Sequence, residues 1–173
     1  MKDPRPDPAS GDFSTTPLGD GLTLVAWISL LLGLGAGGGA LFAPDAWYAA
    51  LLKPTFNPPA WLFGPVWTAL YLMMAVALWL VRRDRDAGPV QRRRASALFA
   101  VQFVLNLLWT PLFFGLHSPG LAFIDICLLW IALLTTMLAF GRVRPLAGYL
   151  LLPYLLWVSF ALVLNGTIWL MNA

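Results

Sequence analysis

Five apolar runs, each close to the length of a bilayer, constrain this chain more than any other feature. They cover about Leu22–Phe42, Trp61–Val81, Ala95–Gly115, Leu121–Phe140 and Leu146–Met171. Crossing about 30 Å of hydrocarbon takes roughly 20 helical residues. Lipid offers backbone groups no hydrogen bonds, so each run must pair its own and is read as a helix. The alternating segments of about 10 residues that a barrel needs are absent. Hydrophobic residues make up 60% of the chain and charged residues 11%, against about 25% charged in a soluble domain. These features exclude a water-soluble globule, a disordered chain and a coiled coil. The fold class expected is an all-α membrane protein, a five-transmembrane-helix bundle.

Charge placement gives the topology. Lys2, Arg5, Arg82, Arg83, Arg85, Arg92, Arg93, Arg94, Arg142 and Arg144 all fall on one side of five spans, and Lys53 alone falls opposite. The positive-inside bias then puts the N-terminus inside. The same asymmetry explains the basic balance without nucleic acid. The stretch Arg82–Arg94 is read as a topology anchor with affinity for anionic lipid heads. Residues 1–20, polar and Pro-rich with Asp3, Asp7, Asp12 and Asp20, are expected to form a disordered tail before a domain over 21–173. That tail does not read as a cleavable signal.

Three features bear on packing and chemistry. Gly33, Gly35, Gly37 and Gly39 form small-xxx-small pairs, read as close packing within the bundle rather than as a dimer face. Pro65, Pro111 and Pro153 each remove a helical hydrogen bond inside a span. Cys127 stands alone, so no intrachain disulfide forms, and no cluster of metal ligands or phosphate loop is visible. His117, the one histidine, reads as a solvated loop residue rather than a metal ligand.

The connector between the first two spans is longer than the few residues a turn needs. It carries Trp47, Tyr48, Phe56 and Trp61 among Pro54, Pro58 and Pro59, which stiffen it. Two readings stand: a lid over the bundle mouth, or an aromatic belt on the headgroups. Inside the spans, polar residues recur beside aromatics. Gln102, Asn106 and Trp109 share a helical face, as do Tyr154, Trp157, Ala161 and Asn165; Trp67 and Tyr71 are one turn apart. Amides in hydrocarbon usually face the bundle interior. Singly, Gln102 and Asn106 suit interhelical hydrogen bonds. As a set, these residues suit a mostly apolar pocket with a few orienting polar groups. Asp125, the one acid within a span, could orient a ligand, carry a proton or bond another helix.

The block Trp47-Tyr48…Lys53-Pro54-x-Phe56-Asn57-Pro58-Pro59-x-Trp61-x-Phe63-Gly64-Pro65-Val66-Trp67…Tyr71 closely resembles the translocator protein family, also called tryptophan-rich sensory protein or TspO/MBR. The segments Gln102…Asn106…Trp109-Thr-Pro111-Leu-Phe113-Phe114-Gly115, Asp125-Ile-Cys-Leu-Leu and Pro153-Tyr154…Trp157…Ala161…Asn165 continue the match in order. The resemblance implies a ligand cavity capped by the first loop, porphyrin ligands such as protoporphyrin IX and haem, and a homodimer. No obligatory cofactor follows from it.

The expected ligand-binding set is Trp47, Tyr48, Phe56, Trp61, Trp67, Tyr71, Gln102, Asn106, Trp109, Asp125, Tyr154, Trp157 and Ala161. The first functional expectation is a membrane receptor or regulator binding porphyrins. The alternatives are a light-dependent porphyrin-degrading oxidase, with Trp67 and Trp157 where relatives place reactive indoles, and a small tetrapyrrole or lipid transporter. Gly166 stands where the eukaryotic sterol motif has tyrosine, which speaks against sterol binding by that motif.

Overall fold

The computed structural model describes residues 17–173. Its elements run α1 (Pro17–Leu41), α2 (Ala46–Ala50), α3 (Ala60–Arg83), α4 (Pro89–Thr110), a π-helical turn (Pro111–Gly115), α5 (Pro119–Val143), α6 (Pro145–Leu150) and α7 (Leu152–Met171). Five stretches are long and apolar enough to cross a membrane: Gly19–Leu41, Ala60–Arg83, Pro89–Gly115, Pro119–Val143 and Pro145–Met171. The fold is the five-helix membrane bundle expected from the apolar runs.

Helix α5 is the hub, packed against α4, α6 and α7, while α3 joins α1 to α4 and α6. Lipid tails are as apolar as leucine, so these helices associate through close packing and polar contacts rather than escape from water. The interior is accordingly dense. Met74, Ala75, Ala77, Val81, Leu133 and Phe140 are fully buried. Phe99 stacks on Phe140 at 5.8 Å between ring centroids and on Phe103 at 6.0 Å. The opposite case is α1, whose outer face leaves Leu22, Val25 and Leu30 exposed.

The glycine stripe of α1 divides. A Cβ on Gly35 would lie 2.2 Å from Tyr71 Cε2, so glycine is required there for α3 to approach. Around Gly33, Gly37 and Gly39 the same atom would meet nothing within 4 Å. Close packing within the bundle therefore holds at Gly35 alone.

Helix boundaries differ from those read off hydropathy. The fourth helix starts at Pro89, not near Ala95, so Arg92, Arg93 and Arg94 are helical. Hydropathy ends a span at its first charge, whereas arginine is a good helix former and Gly88-Pro89 supplies a natural start. Pro111 opens a π turn in which Leu116 N–H donates to Pro111 O at 2.8 Å. The last span is two helices meeting at Leu151, just before Pro153, whose ring cannot sit against a helical carbonyl four residues back. Of the tail expected over 1–20, residues 1–16 lie outside the described residues, and Pro17 to Asp20 begin α1.

At the arginine-rich end, Trp79 Nε1–H donates to Asp20 O at 2.9 Å. Arg83 lies over the Trp79 ring at 4.1 Å and meets Asp20 at 3.8 Å. These contacts tie the start of α1 to the end of α3.

Candidate functional site

At the end opposite the arginines, residues 42–59 pack onto the helix ends. Asp45 starts the short α2: its Oδ1 accepts from Tyr48 N–H at 3.1 Å. Its Oδ2 lies 3.0 Å from His117 Nε2 in the α4–α5 connection. The Tyr48 N–H bond holds the Asp45 carboxyl below its ordinary pKa, and the His117 charge adds to that while desolvation opposes it. Trp47 stacks on the His117 ring at 4.4 Å and 21°. His117 has φ 49°, a left-handed conformation uncommon outside glycine. The Asp45 and Trp47 contacts fix the ring of this residue from two sides. His117 is thus an exposed loop histidine, as expected, but a partnered one.

Lys53 caps α2 from the other side. Its Nζ donates to Tyr48 O at 2.5 Å and Leu51 O at 3.2 Å, and lies 4.5 Å from the Tyr48 ring centroid. Burial raises the Tyr48 phenol pKa, so the group stays protonated. Farther along, Asn172 behind the C-terminus of α7 accepts from Leu52 N–H and donates to Leu52 O, both at 2.9 Å. The segment is pinned at three points despite lacking regular structure over most of its length.

The expected site residues separate into two groups. In the outer group, Trp47 and Tyr48 pack edge-on against Phe113, and Tyr48 against Phe114. Trp109 stacks on Phe113 at 5.0 Å. Its Nε1–H donates to Asn165 Oδ1 at 2.9 Å, and Asn165 Nδ2 donates to Pro119 O at 2.8 Å. The amide of α7 thereby orients the indole of α4.

The deeper group centres on Trp67, stacked on Tyr71 at 5.4 Å and edge-on to Tyr154 at 6.0 Å. Tyr71 OH donates to Asn106 Oδ1 at 2.9 Å. Trp157 packs between Phe63 at 5.8 Å and Phe160 at 5.5 Å. Phe56 reaches down from the loop to Phe160 at 6.4 Å, and half-buried Ala161 packs beside the same cluster.

Gln102 lies one turn from Asn106, wholly buried, with neither side-chain Oε1 nor Nε2 partnered. Tyr154 OH and Asp125 Oδ2 are also buried without a partner. Leaving such a group unpaired costs about 1–3 kcal/mol.

Trp61 stands apart from both groups, 71% exposed at the start of α3. Its position suits the interfacial belt reading rather than the lid. Residues outside the expected set take part as well: Phe63, Phe113, Phe114, Phe160 and Asn165. Phe113 could have been read from its place one turn beyond Trp109. The pairing of Asn172 with Leu52, 120 residues away, leaves no local signal.

The TspO/MBR family model matches residues 26–170. The chain belongs to the TspO/MBR family. Tryptophan-rich protein TspO of Chlorobaculum tepidum is 46% identical over 159 residues, covering 87% of this chain and 96% of that one. Protein CrtK of Rhodobacter capsulatus is 36% identical over 155 residues, covering 87% and 94%. Translocator protein of Homo sapiens is 39% identical over 123 residues, covering 71% and 73%. With its five apolar helices, this TspO/MBR member is an integral multi-pass membrane protein. Within it, the aromatic-and-amide faces of α3, α4 and α7 and the segment 42–59 all fall inside the matched region.

Proposed function

We propose that the protein is a membrane receptor or regulator that takes a porphyrin, such as protoporphyrin IX, beneath segment 42–59 and against the aromatic faces of α3, α4 and α7. The observation that carries this reading is the set of buried polar atoms without partners, on Gln102, Asp125 and Tyr154, in a bundle whose ring cluster of Trp67, Tyr71 and Tyr154 includes one of them. A planar guest with an apolar face and polar nitrogens or carboxylates suits such a setting: it stacks on rings and hydrogen-bonds to the orphaned groups. Segment 42–59 acts as the lid, with Phe56 above Phe160 as its point of entry to the pocket. The arginine-rich end faces the cytoplasm of a bacterial cell. The open Gly33/Gly37 face of α1 is where a second copy would pack. Curated relatives bear the names tryptophan-rich sensory protein and translocator protein, which accord with sensing or handling a small molecule.

The test is a titration of purified protein with protoporphyrin IX in the dark, followed by tryptophan quenching. Saturable quenching that weakens at least tenfold in Trp67→Phe/Trp157→Phe and in Gln102→Leu supports the pocket. Non-saturable quenching, equal in all variants, reflects detergent partitioning and rejects it.

A further inference from the structure

At the arginine-rich end, the last turn of α3 and the first turns of α4 border an open cleft of about 490 Å³. Arg82 lines it from α3, and Arg92, Arg93 and Ser96 line it from α4. Two of these guanidinium groups are held in place. Arg82 lies over the Trp27 ring at 5.2 Å, and Arg92 Nη1–H donates to Asp84 O at 2.7 Å. Stacking engages the face of a guanidinium and leaves its N–H edge available, and one carbonyl bond takes one of five donors.

Among the described residues no carboxylate stands within ion-pair distance of Arg82, Arg92 or Arg93; Asp20 pairs with Arg83 instead. The first turn of α4 carries no acid and has no side-chain cap, so its backbone N–H groups add to the positive field. An anion with several oxygen acceptors fits these donors.

What lies beneath the cleft decides which anion. Ala97, Val101, Val104 and Leu108 follow one another at helical spacing on α4, and all are exposed. They form an apolar track leading from the arginines toward the middle of the span. The geometry points to this cleft as a binding site for the phosphate of an anionic phospholipid, with the acyl chains laid along Ala97, Val101, Val104 and Leu108. The site is separate from the aromatic cluster proposed for porphyrin and does not depend on that reading.

Native mass spectrometry of the full chain, released from micelles doped with phosphatidylglycerol, tests the assignment; parallel arms use phosphatidylcholine and inorganic phosphate. Saturable retention of phosphatidylglycerol is expected. It should weaken at least tenfold in Arg82→Gln/Arg92→Gln/Arg93→Gln and remain unchanged in Arg142→Gln/Arg144→Gln, which removes two arginines of the same end outside the cleft. Should the triple variant fail to fold, the exposed Arg93→Gln alone is expected to weaken retention by about threefold. Equal loss in both arginine variants would reduce the effect to general surface charge and overturn the site. Equal retention of phosphatidylcholine, or saturable binding of inorganic phosphate without lipid, would overturn it as well.

Discussion

Asp45 and His117, 72 residues apart in sequence, meet at 3.0 Å at the end of the bundle opposite the arginines. The carboxylate joins the loop after α1 to the connection after α4, and Trp47 covers the imidazole it touches. Asp45 is also the group that starts α2. One acid therefore holds both a local turn and a distant contact.

That double role predicts a pH dependence. The pKa of Asp45 is lowered, first by the Tyr48 N–H bond. A depressed carboxylate contributes stability above its unfolded value and loses it as pH falls through the folded one. Protection of the amides over residues 45–57, taken relative to their intrinsic exchange rate at each pH, is expected to be high at neutral pH. It should fall as pH drops below the ordinary carboxylate range. Asp45→Asn should abolish that step; an identical acid-induced step in the variant would assign the loosening to another group.

The second tether is Asn172. Its side chain makes two hydrogen bonds to Leu52, each worth about 1 kcal/mol. Asn172→Ala is expected to raise exchange at the Leu52 amide by roughly five- to thirtyfold, with little effect on exchange within α5. Unaltered exchange at Leu52 would mean that Lys53 and Asp45 suffice to hold the segment.

Gly35 and its neighbours on α1 make opposite predictions from the same chemical change. A Cβ at Gly35 meets the Tyr71 ring and would displace the hydroxyl that bonds Asn106. Gly35→Ala should destabilise by about 1–3 kcal/mol. Gly39→Ala meets open space and should be neutral or gain up to about 1 kcal/mol from helix propensity. Thermal denaturation in detergent separates the two, and equal shifts would contradict the close approach of α1 and α3.

Gly166 packs against Phe123, with a Cβ there falling 2.9 Å from Cε2. Gly166→Tyr, which restores the aromatic of the eukaryotic sterol motif, is therefore expected to lower the melting temperature rather than confer sterol binding. A stable variant with saturable cholesterol binding would show that Phe123 yields.

Tyr154→Phe separates ligand binding from stability. The buried hydroxyl has no partner, so its removal should leave the protein as stable or more stable by about 1 kcal/mol. The same change should weaken porphyrin binding if the hydroxyl faces the guest. Loss of stability in Tyr154→Phe would instead reveal a structural bond.

Hydropathy alone was enough for the five spans, because lipid imposes the same length and the same internal pairing on any helix that crosses it. The shared faces of Gln102 with Asn106 and of Tyr154 with Trp157 were also legible, because helical periodicity is a local property. Which residues on those faces find partners was not. Asn106 pairs with Tyr71, Asn165 with Trp109, and Gln102 with nothing. That outcome depends on where separate helices place their side chains. The same holds for His117, an isolated loop residue in the sequence that the fold brings beneath Trp47, and for Gly35, one of four similar glycines of which it alone faces a ring. Segment length, helical face and charge asymmetry are carried by neighbours along the chain. Close approaches and hydrogen bonds between distant residues exist only once the helices have packed, so only the tertiary structure decided them.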